Sequence, residues 1–332
     1  MPRARVMFIL GRFAQMIGVL WVIVTILFLL FRLMPGDPLV AYIDPTFTEE
    51  QAEAVRHQFG LDQPMHVQYV LYVRNLLTGN FGTSFFQKEP VFEILMDVFP
   101  NTLLLTGTSL ILAYVFGVVA GAILAWRRGT FLEGTGILMA LMTRAAPDFF
   151  VGMLVLSIFS FSLRWFPSSG ISDPGVVFPT IWHQLASPDF WHHLALPAIT
   201  LAIYLQGLPL LLMRSNMLEV LDEDFITMAR MHGLSEWRIM LAHAARNAML
   251  PIVTALTLGI GYAIGGDVVI ENVFSWPGIG RLLVRAVSAH DYPLAQGAFL
   301  LIAIVIVAMN FLADVLYGVL DPRVSTKRQE AG

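Results

Sequence analysis

The chain has 332 residues, of which 57% are hydrophobic and 13% are charged, and its formal net charge is −4. Soluble proteins are far less apolar, and several apolar runs here approach the roughly 20 residues that a helix needs to cross a bilayer. The sequence therefore predicts a polytopic membrane protein. The absence of cysteine excludes a disulfide, a thiolate zinc site and a thiol nucleophile. No basic stripe indicates nucleic-acid binding, and HExxH and Walker GK motifs are both missing, so any ATP must bind to another chain.

A first membrane helix is expected near the N-terminus. Arg3, Arg5 and Arg12 precede an apolar run over residues 13–33, so the positive-inside rule places the N-terminus in the cytoplasm. The run is too long for a signal peptide, and no small-residue cleavage site follows it. Residues 1–34 are therefore predicted to hold a cytoplasmic end and a retained transmembrane helix.

Residues 35–99 form the only sizeable region that is predicted to lie outside the membrane. They contain nine acidic residues against three basic ones, and this shortage of positive charge is typical of the outer side. Capping and apolar patterns predict helices over about residues 48–59 and 65–77. Two interpretations remain open: a loop with two surface helices, or a surface that helps to receive a binding protein.

Residues 100–320 are predicted to form the transmembrane core. Its first helix covers residues 101–126 and is followed by a pair of arginines, which places that end inside. Gly117 and Gly121 form a GxxxG pair, which allows another helix to approach closely.

The next helix is predicted within residues 135–163 and is interrupted by Pro147. Arg144 and Asp148 are four residues apart, so a continuous helix would place both charges on one face, where they can pair. Charged residues at membrane depth are functional candidates, and both are candidates for the transport pathway. The alternative is that Arg144 snorkels to the cytoplasmic interface.

An outer loop over residues 164–194 is rich in histidine and tryptophan. It contains Trp182, His183, Trp191, His192 and His193. Adjacent histidines point in different directions, and no carboxylate is found at ligand spacing in the sequence. We therefore expect aromatic anchoring at the membrane interface and no metal site.

A fourth helix is predicted to open at Leu196-Pro197 and to end near Met213. Arg214 places this end inside the cell. The interval over residues 222–251, which is the longest polar-containing stretch in the second half of the chain, is therefore predicted to be cytoplasmic.

This interval is predicted to be a helical hairpin. Asp222 and Asp224 are the expected N-caps of a first short helix, and Gly233 ends it because glycine enters the left-handed region cheaply. Ser235 caps a second helix, and Pro251 marks the start of the next segment. The second helix carries an apolar stripe at helical spacing: Trp237, Met240, Leu241, Ala244 and Ala248. The hairpin either simply joins two membrane helices or docks onto something outside the membrane.

A fifth helix is predicted over residues 252–273, with Asp267 and Glu271 on one face near its outer end. A carboxylate facing lipid is costly, so Asp267 is expected to face the pathway, a partner subunit or water. In one interpretation Glu271 pairs with Arg281 or Arg285, and Asp267 simply reaches the outer interface. In the other, Asp267 lines the outer pathway and favours cationic substrates.

The chain then turns at residues 276–278, where Trp-Pro-Gly cannot continue a helix. A short amphipathic helix is predicted over residues 279–287. The sixth helix covers about residues 294–319 and returns the chain to the inside, where residues 321–332 form a basic cytoplasmic tail.

Motifs along nearly the whole chain resemble those of permease subunits of ATP-binding-cassette importers, in particular the B-type permease of the dipeptide, oligopeptide and nickel importers. They are RLMPGDP, FGLDQP, LLTGNFGTS, WFPSSG, ENVFSWPGIGRLLVRAVSAHDYP and LDPR. The outer loop motif includes Trp276, Pro277, Gly278 and Gly280. The interval over residues 222–251 resembles the EAA loop of these permeases, with Gly233 as the motif glycine. Thr227-Met228-Ala229 stands in place of the three letters that name the motif.

The resemblance implies an all-α type I importer permease with six transmembrane helices in the bacterial inner membrane. It also implies a second similar permease, two ATPase subunits that bind ATP and magnesium, and an outer binding protein that delivers peptides, nickel, glutathione or oligosaccharides. The EAA loop inserts into a cleft on the ATPase. The residues that the resemblance and the helical pattern assign to this coupling are Asp224, Ala229, Gly233, Leu234, Trp237, Arg238, Leu241 and Pro251. The chain itself is expected to bind no cofactor and to catalyse no reaction.

Two other classes of protein were compared with this interpretation. A secondary transporter is typically longer and has inverted repeats, and the sequence contains no convincing internal repeat. An intramembrane hydrolase needs a nucleophile and base or a metal motif, and none is visible. ATP dependence of uptake separates the first class from an importer, and activity of the purified chain alone separates the second.

Overall fold

The computed structural model describes residues 2–33, 63–249, 251–253, 255–256, 259 and 267–320. Within these ranges the chain is built from helices and connecting loops, with an isolated β-bridge between Thr83 and Pro90. The helices are α1 (Pro2–Leu33), α2 (Met65–Leu77), α3 (Val91–Trp126), α4 (Phe131–Ala145), α5 (Asp148–Val155), α6 (Ile181–Ala186), α7 (Pro188–Leu205), α8 (Gly207–Leu221), α9 (Asp224–Met231), α10 (Glu236–Arg238), α11 (Val268–Val273), α12 (Ile279–Ser288) and α13 (Tyr292–Leu320). A π-helical stretch, Leu156–Ser162, continues α5; a second, Ile239–Ala245, and one further turn, Arg246–Ala248, continue α10. The all-α prediction is confirmed.

Three helices are long and apolar enough to span a membrane by themselves: Val6–Leu33, Val91–Trp126 and Tyr292–Val315. Two bent pairs add further spans, α4 with α5 at an angle of 104° and α7 with α8 at 45°. The described part of the chain therefore accounts for up to five spans. Within the predicted fifth helix over residues 252–273, residues 254, 257–258 and 260–266 lie outside the described ranges.

Two helices differ from their predicted bounds at proline residues. Helix α3 begins at Val91 and runs through Pro100, and helix α7 begins at Pro188 and runs through Pro197. Membrane helices accept an interior proline because neighbouring groups satisfy the freed carbonyl. The prediction that Pro197 opens its helix was wrong. Helix α2 has the predicted bounds, whereas the helix predicted near residues 48–59 lies outside the described residues.

The chain forms two compact units. The terminal unit comprises Met1–Thr102 and Pro277–Gly332, and the central unit comprises Leu103–Trp276. This division differs from a core over residues 100–320, because α13 packs lengthwise on α1. In that helix pair the Arg12 guanidinium lies 3.2 Å from the Asp314 carboxylate.

A buried carboxylate organises the outer-loop side of the terminal unit. Asp291, directly before α13, accepts hydrogen bonds from the Ser84 hydroxyl and from the backbone N–H groups of Phe85 at 3.0 Å, Phe86 at 3.1 Å and Leu294 at 3.3 Å. Four donors compensate the cost of burying this charge. The turn after the GTS sequence is thereby fixed to the start of α13.

Close helix packing in the central unit depends on two glycines of α3. A Cβ atom at Gly117 would lie 2.8 Å from the Gln206 carbonyl oxygen, and one at Gly121 would collide with the Leu210 carbonyl oxygen and lie 2.9 Å from Met213 Cβ. The backbones of α3 and α8 therefore touch, as the GxxxG pair predicts.

This contact predicts a large effect from one methyl group. Gly121→Ala should lower the thermal unfolding midpoint of the detergent-solubilised chain, because overpacking of this kind costs about 1–3 kcal/mol. Gly107→Ala on the same helix is the matched control, since a Cβ atom there has no neighbour within 4 Å. Equal midpoints for the two variants would show that the α3–α8 contact is not as close as described.

Candidate functional site

The predicted helical hairpin is present, and from here on residues 222–248 are called the coupling segment. Its first helix, α9, is preceded by Glu223 in the extended N-cap conformation, so the predicted caps Asp222 and Asp224 were wrong by one residue. Gly233 has φ +74°, and its N–H donates to the Arg230 carbonyl at 2.9 Å. The predicted left-handed turn is confirmed, and Ser235 begins the second helix as expected.

The coupling segment has a buried face and an exposed apolar face. The buried side chains are Ile226, Ala229, Ile239, Met240, Ala244 and Ala248. The exposed apolar side chains are Phe225, Met228, Met231, Trp237 and Leu241. Trp237 is 71% exposed and Met231 is 81% exposed, which is unusual for such large side chains outside a binding surface or a lipid contact.

The apolar stripe predicted for the second helix is therefore divided between two faces. Met240 and Ala244 point inward, whereas Trp237 and Leu241 point outward. The π-helical stretch Ile239–Ala245 explains the difference, because i→i+5 bonding widens each turn and disturbs the spacing of an α-helix.

The predicted coupling residues accordingly have different surroundings. Asp224, Gly233 and Arg238 are exposed, as are the outward Trp237 and Leu241, and Leu234 is half-buried. Ala229 is buried and cannot contact another protein directly. Pro251 is exposed in a helical stretch over residues 251–253, which follows a residue outside the described ranges.

The buried face of the coupling segment belongs to one apolar cluster that extends into the membrane helices. Met213 and Met217 of α8 and Ala122 and Ala125 of α3 lie in this cluster. It reaches as far as Leu110, about four helical turns from the end of α3 by the 3.6-residue period. The coupling segment is therefore packed continuously onto α3 and α8.

A partly buried charge pair, which the sequence analysis did not identify, links α4 to α8. The Glu133 carboxylate accepts a hydrogen bond from Arg214 Nε at 2.8 Å and another from the Gly129 N–H at 2.6 Å. The pair joins the loop before α4 to the helix that leads into the coupling segment. Eighty-one residues separate the two charges in the chain, so no local pattern reveals the contact.

Arg144 and Asp148 do not share a helix face, so that prediction was wrong. Arg144 lies in the last turn of α4, and Asp148 is the first residue of α5. Between them Ala146 is extended, with φ −72° and ψ 137°, because a residue before proline avoids the helical region. The break at Pro147 is therefore a 104° bend and not a mild kink.

Asp267 is also placed differently from the prediction. It is the N-cap of α11, and its carboxylate oxygen accepts hydrogen bonds from the N–H groups of Val269 at 3.1 Å and Ile270 at 3.0 Å. It therefore starts a helix, and it does not lie within the same helix as Glu271. Glu271 in α11 is fully buried.

One cavity of the central unit contains two of the predicted pathway residues. It has a volume of about 370 Å³. Arg144 and Asp267 both line it, together with the phenols Tyr114 and Tyr204. The apolar part of the wall is formed by Leu110, Leu201, Leu205, Leu208 and Val268. Asp148 is not among the described lining residues.

The residues of the outer loop motif are structural in this fold. Trp276, which ends the central unit, is fully buried and packs its ring 5.8 Å from that of Phe190. In the terminal unit Asn101 donates a hydrogen bond to the Pro277 carbonyl at 3.0 Å. Gly278 is the N-cap of α12, and Gly280 is buried in its first turn. The predicted helix over residues 279–287 is confirmed as Ile279–Ser288.

Two carboxylates lie beside a histidine of the predicted outer loop, so the expectation that no carboxylate accompanies the histidines was wrong. His193 is buried; its Nδ1 lies 3.2 Å from the Asp189 carboxylate, and its Nε2 lies 3.8 Å from that of Asp173. The Asp173 N–H donates to Asp189 at 3.0 Å. The adjacent His192 instead contacts the Trp165 carbonyl at 2.8 Å. These contacts hold the loop around Asp173 onto α7.

Comparison with known proteins identifies the family of the chain. Residues 117–326 match the family described as binding-protein-dependent transport system inner membrane component, and residues 5–106 match the N-terminal part of such membrane components.

Three relatives are similar over most of the chain. A candidate peptide permease protein of Brucella suis is 40% identical over 313 residues, covering 93% of this chain and 95% of the relative. A glutathione transport system permease protein of Salmonella choleraesuis is 37% identical, covering 96% of this chain and 99% of the relative. A di/tripeptide transport system permease protein of Pseudomonas aeruginosa is 37% identical, covering 97% and 99%. The chain therefore belongs to the family of binding-protein-dependent transport system inner membrane components, the permease subunits of ATP-binding-cassette importers.

Proposed function

We propose that this chain forms one half of the translocation pathway of an ATP-driven importer of small peptides. The observation that carries the proposal concerns the coupling segment. One of its faces exposes large apolar side chains, and its buried face packs against helices that line a cavity. The names of the relatives, which include peptide, di/tripeptide and glutathione permeases, support the substrate class.

The complex contains four kinds of component. A second, similar permease completes the pathway, two ATPase subunits bind ATP and magnesium, and an external binding protein delivers the substrate. The permease catalyses no reaction; it converts movement of the ATPases into movement of membrane helices. An importer of nickel or of oligosaccharide has the same architecture, but the apolar wall of the cavity favours an organic substrate with apolar side chains.

Both chain ends and the coupling segment lie in the cytoplasm, and the loop that contains Val177 lies outside. The distribution of arginine supports this orientation. Since the chain has no cysteine, single cysteines are clean reporters of sidedness. Val177 and Glu236 are both exposed and are suitable positions.

We expect an impermeant thiol reagent applied to intact cells to label Val177→Cys and not Glu236→Cys. After the cells are permeabilised, both variants should react, which controls for folding and expression. Labelling at position 236 in intact cells would reverse the proposed orientation and remove the coupling segment from the ATPases.

The exposed face of the coupling segment is proposed to insert into a cleft on the ATPase. Trp237 is its largest side chain, and aromatic anchors in such interfaces often cost about 2 kcal/mol or more when truncated. Because 1.4 kcal/mol is a factor of ten in affinity, this loss is on the order of thirtyfold.

Trp237→Ala should therefore lose ATPase subunits during purification and lose ATP-dependent peptide uptake in proteoliposomes, while the permease stays in the membrane. Trp182→Ala is the matched control, because Trp182 is exposed to a similar extent, 76% against 71%, in a loop proposed to face outward. The docking proposal fails if the Trp237 variant retains its ATPase and transports at the rate of the control.

A further inference from the structure

The cavity of the central unit presents two opposite charges that do not neutralise each other by contact. Arg144 and Asp267 both line it, yet these two described residues form no ion pair with each other. Among the residues that the structure describes, Arg144 has no hydrogen bond or ion pair at all. Arg144 is exposed and Asp267 is half-buried, so a molecule in the cavity can reach both charged groups.

Both charged side chains have defined positions: Arg144 through packing of its aliphatic part, and Asp267 through its role as a helix N-cap. The aliphatic part of Arg144 packs on α8, where a Cβ atom at Gly207 would lie 2.8 Å from its Cγ and Cδ atoms. Asp267 uses one carboxylate oxygen to cap α11 through Val269 and Ile270. Its second oxygen makes no hydrogen bond to the described residues. The two charged groups are therefore positioned for something that enters the cavity.

The side chains that line the cavity determine which class of small molecule fits it. A cavity with one positive group, one negative group, two phenols and apolar side chains fits a small molecule that carries both charges and an apolar body. A purely cationic guest would gain from Asp267 but be repelled by Arg144. Asp267 alone would favour cations, and the presence of Arg144 in the same cavity removes that preference.

We infer that Arg144 and Asp267 are specificity-determining residues of the permease itself. Arg144 binds the free carboxylate of a zwitterionic substrate, and Asp267 binds its free ammonium group. This inference rests on the proposed peptide importer. It goes beyond it, because it assigns part of the selectivity to the pathway and not only to the binding protein.

The test uses one dipeptide with a diazirine side chain in three forms: free, N-acetylated and C-amidated. Crosslinking to the purified complex at millimolar peptide, without the binding protein, reports on the permease cavity alone. Asp267→Asn removes the charge but keeps the cap, since Asn and Asp are equally good N-caps. Arg144→Gln removes the other charge and keeps part of the stem.

Asp267→Asn should reduce crosslinking of the free and the C-amidated peptide by about tenfold, the value for a lost charged contact. Crosslinking of the anionic N-acetylated peptide should stay the same or rise, because a repelling carboxylate is removed. Arg144→Gln should reduce crosslinking of the free and the N-acetylated peptide, and crosslinking of the cationic C-amidated peptide should stay the same or rise for the corresponding reason. Arg144→Lys, which keeps the charge, should retain the pattern of the unmodified chain. Glu219→Gln on the exposed part of α8 is the control for loss of an acid.

Equal effects of each variant on all three peptides, or no effect, would overturn the inference and leave Asp267 as a helix cap only. The proposed function is tested separately by ATP-dependent uptake of the free dipeptide into proteoliposomes that contain the complete unmodified importer. Uptake without a charge-specific pattern rejects only the inference, whereas an absence of uptake rejects the peptide importer itself.

Discussion

The contact between α3 and α8 at Gly117 and Gly121 is the constraint on which the central unit depends. Any side chain at either glycine would meet the backbone of α8, so the two helices cannot approach as closely with another residue there. Met213 and Met217 of α8 share one apolar cluster with Ala122 and Ala125 of α3 and with the buried face of the coupling segment. The coupling segment is thus packed in the same cluster as the two helices that touch at these glycines.

The same packing explains how a contact at the coupling segment reaches the cavity. Tyr114 and Leu110 belong both to the apolar cluster beneath the coupling segment and to the wall of the cavity. The Glu133–Arg214 pair adds a polar link from α8 to the start of α4, and Arg144 in the last turn of α4 lines the same cavity. Because close-packed interiors transmit displacement instead of absorbing it, we propose that movement of the coupling segment displaces the cavity wall.

Features that depend on nearby residues were predictable from the sequence. The left-handed turn at Gly233, helix α2 and the helix after the Trp-Pro-Gly turn follow from capping and periodicity. The membrane class follows from composition alone.

Features that depend on tertiary contacts were not predictable in this way. Glu133 and Arg214 are 81 residues apart, and the loop folding back onto α7 brings Asp173 to His193 across 20 positions of the chain. The sharp bend at Pro147 and the π-helical stretch at Ile239–Ala245 altered which side chains share a face. Proline shows that a break is possible, but the surrounding helices determine its angle.

The central claim is that the coupling segment and α3 move as one packed body. Spin labels at the exposed positions Asn247 and Val115 report on this directly, because the chain has no native cysteine to label by mistake. Pulsed electron resonance on the complete complex, with and without ATP, measures the distance between the two labels. A distance distribution that does not change while ATP drives transport is the result that we expect. A shift of several ångströms between the two states would show that the segment moves independently of α3, and would contradict the account.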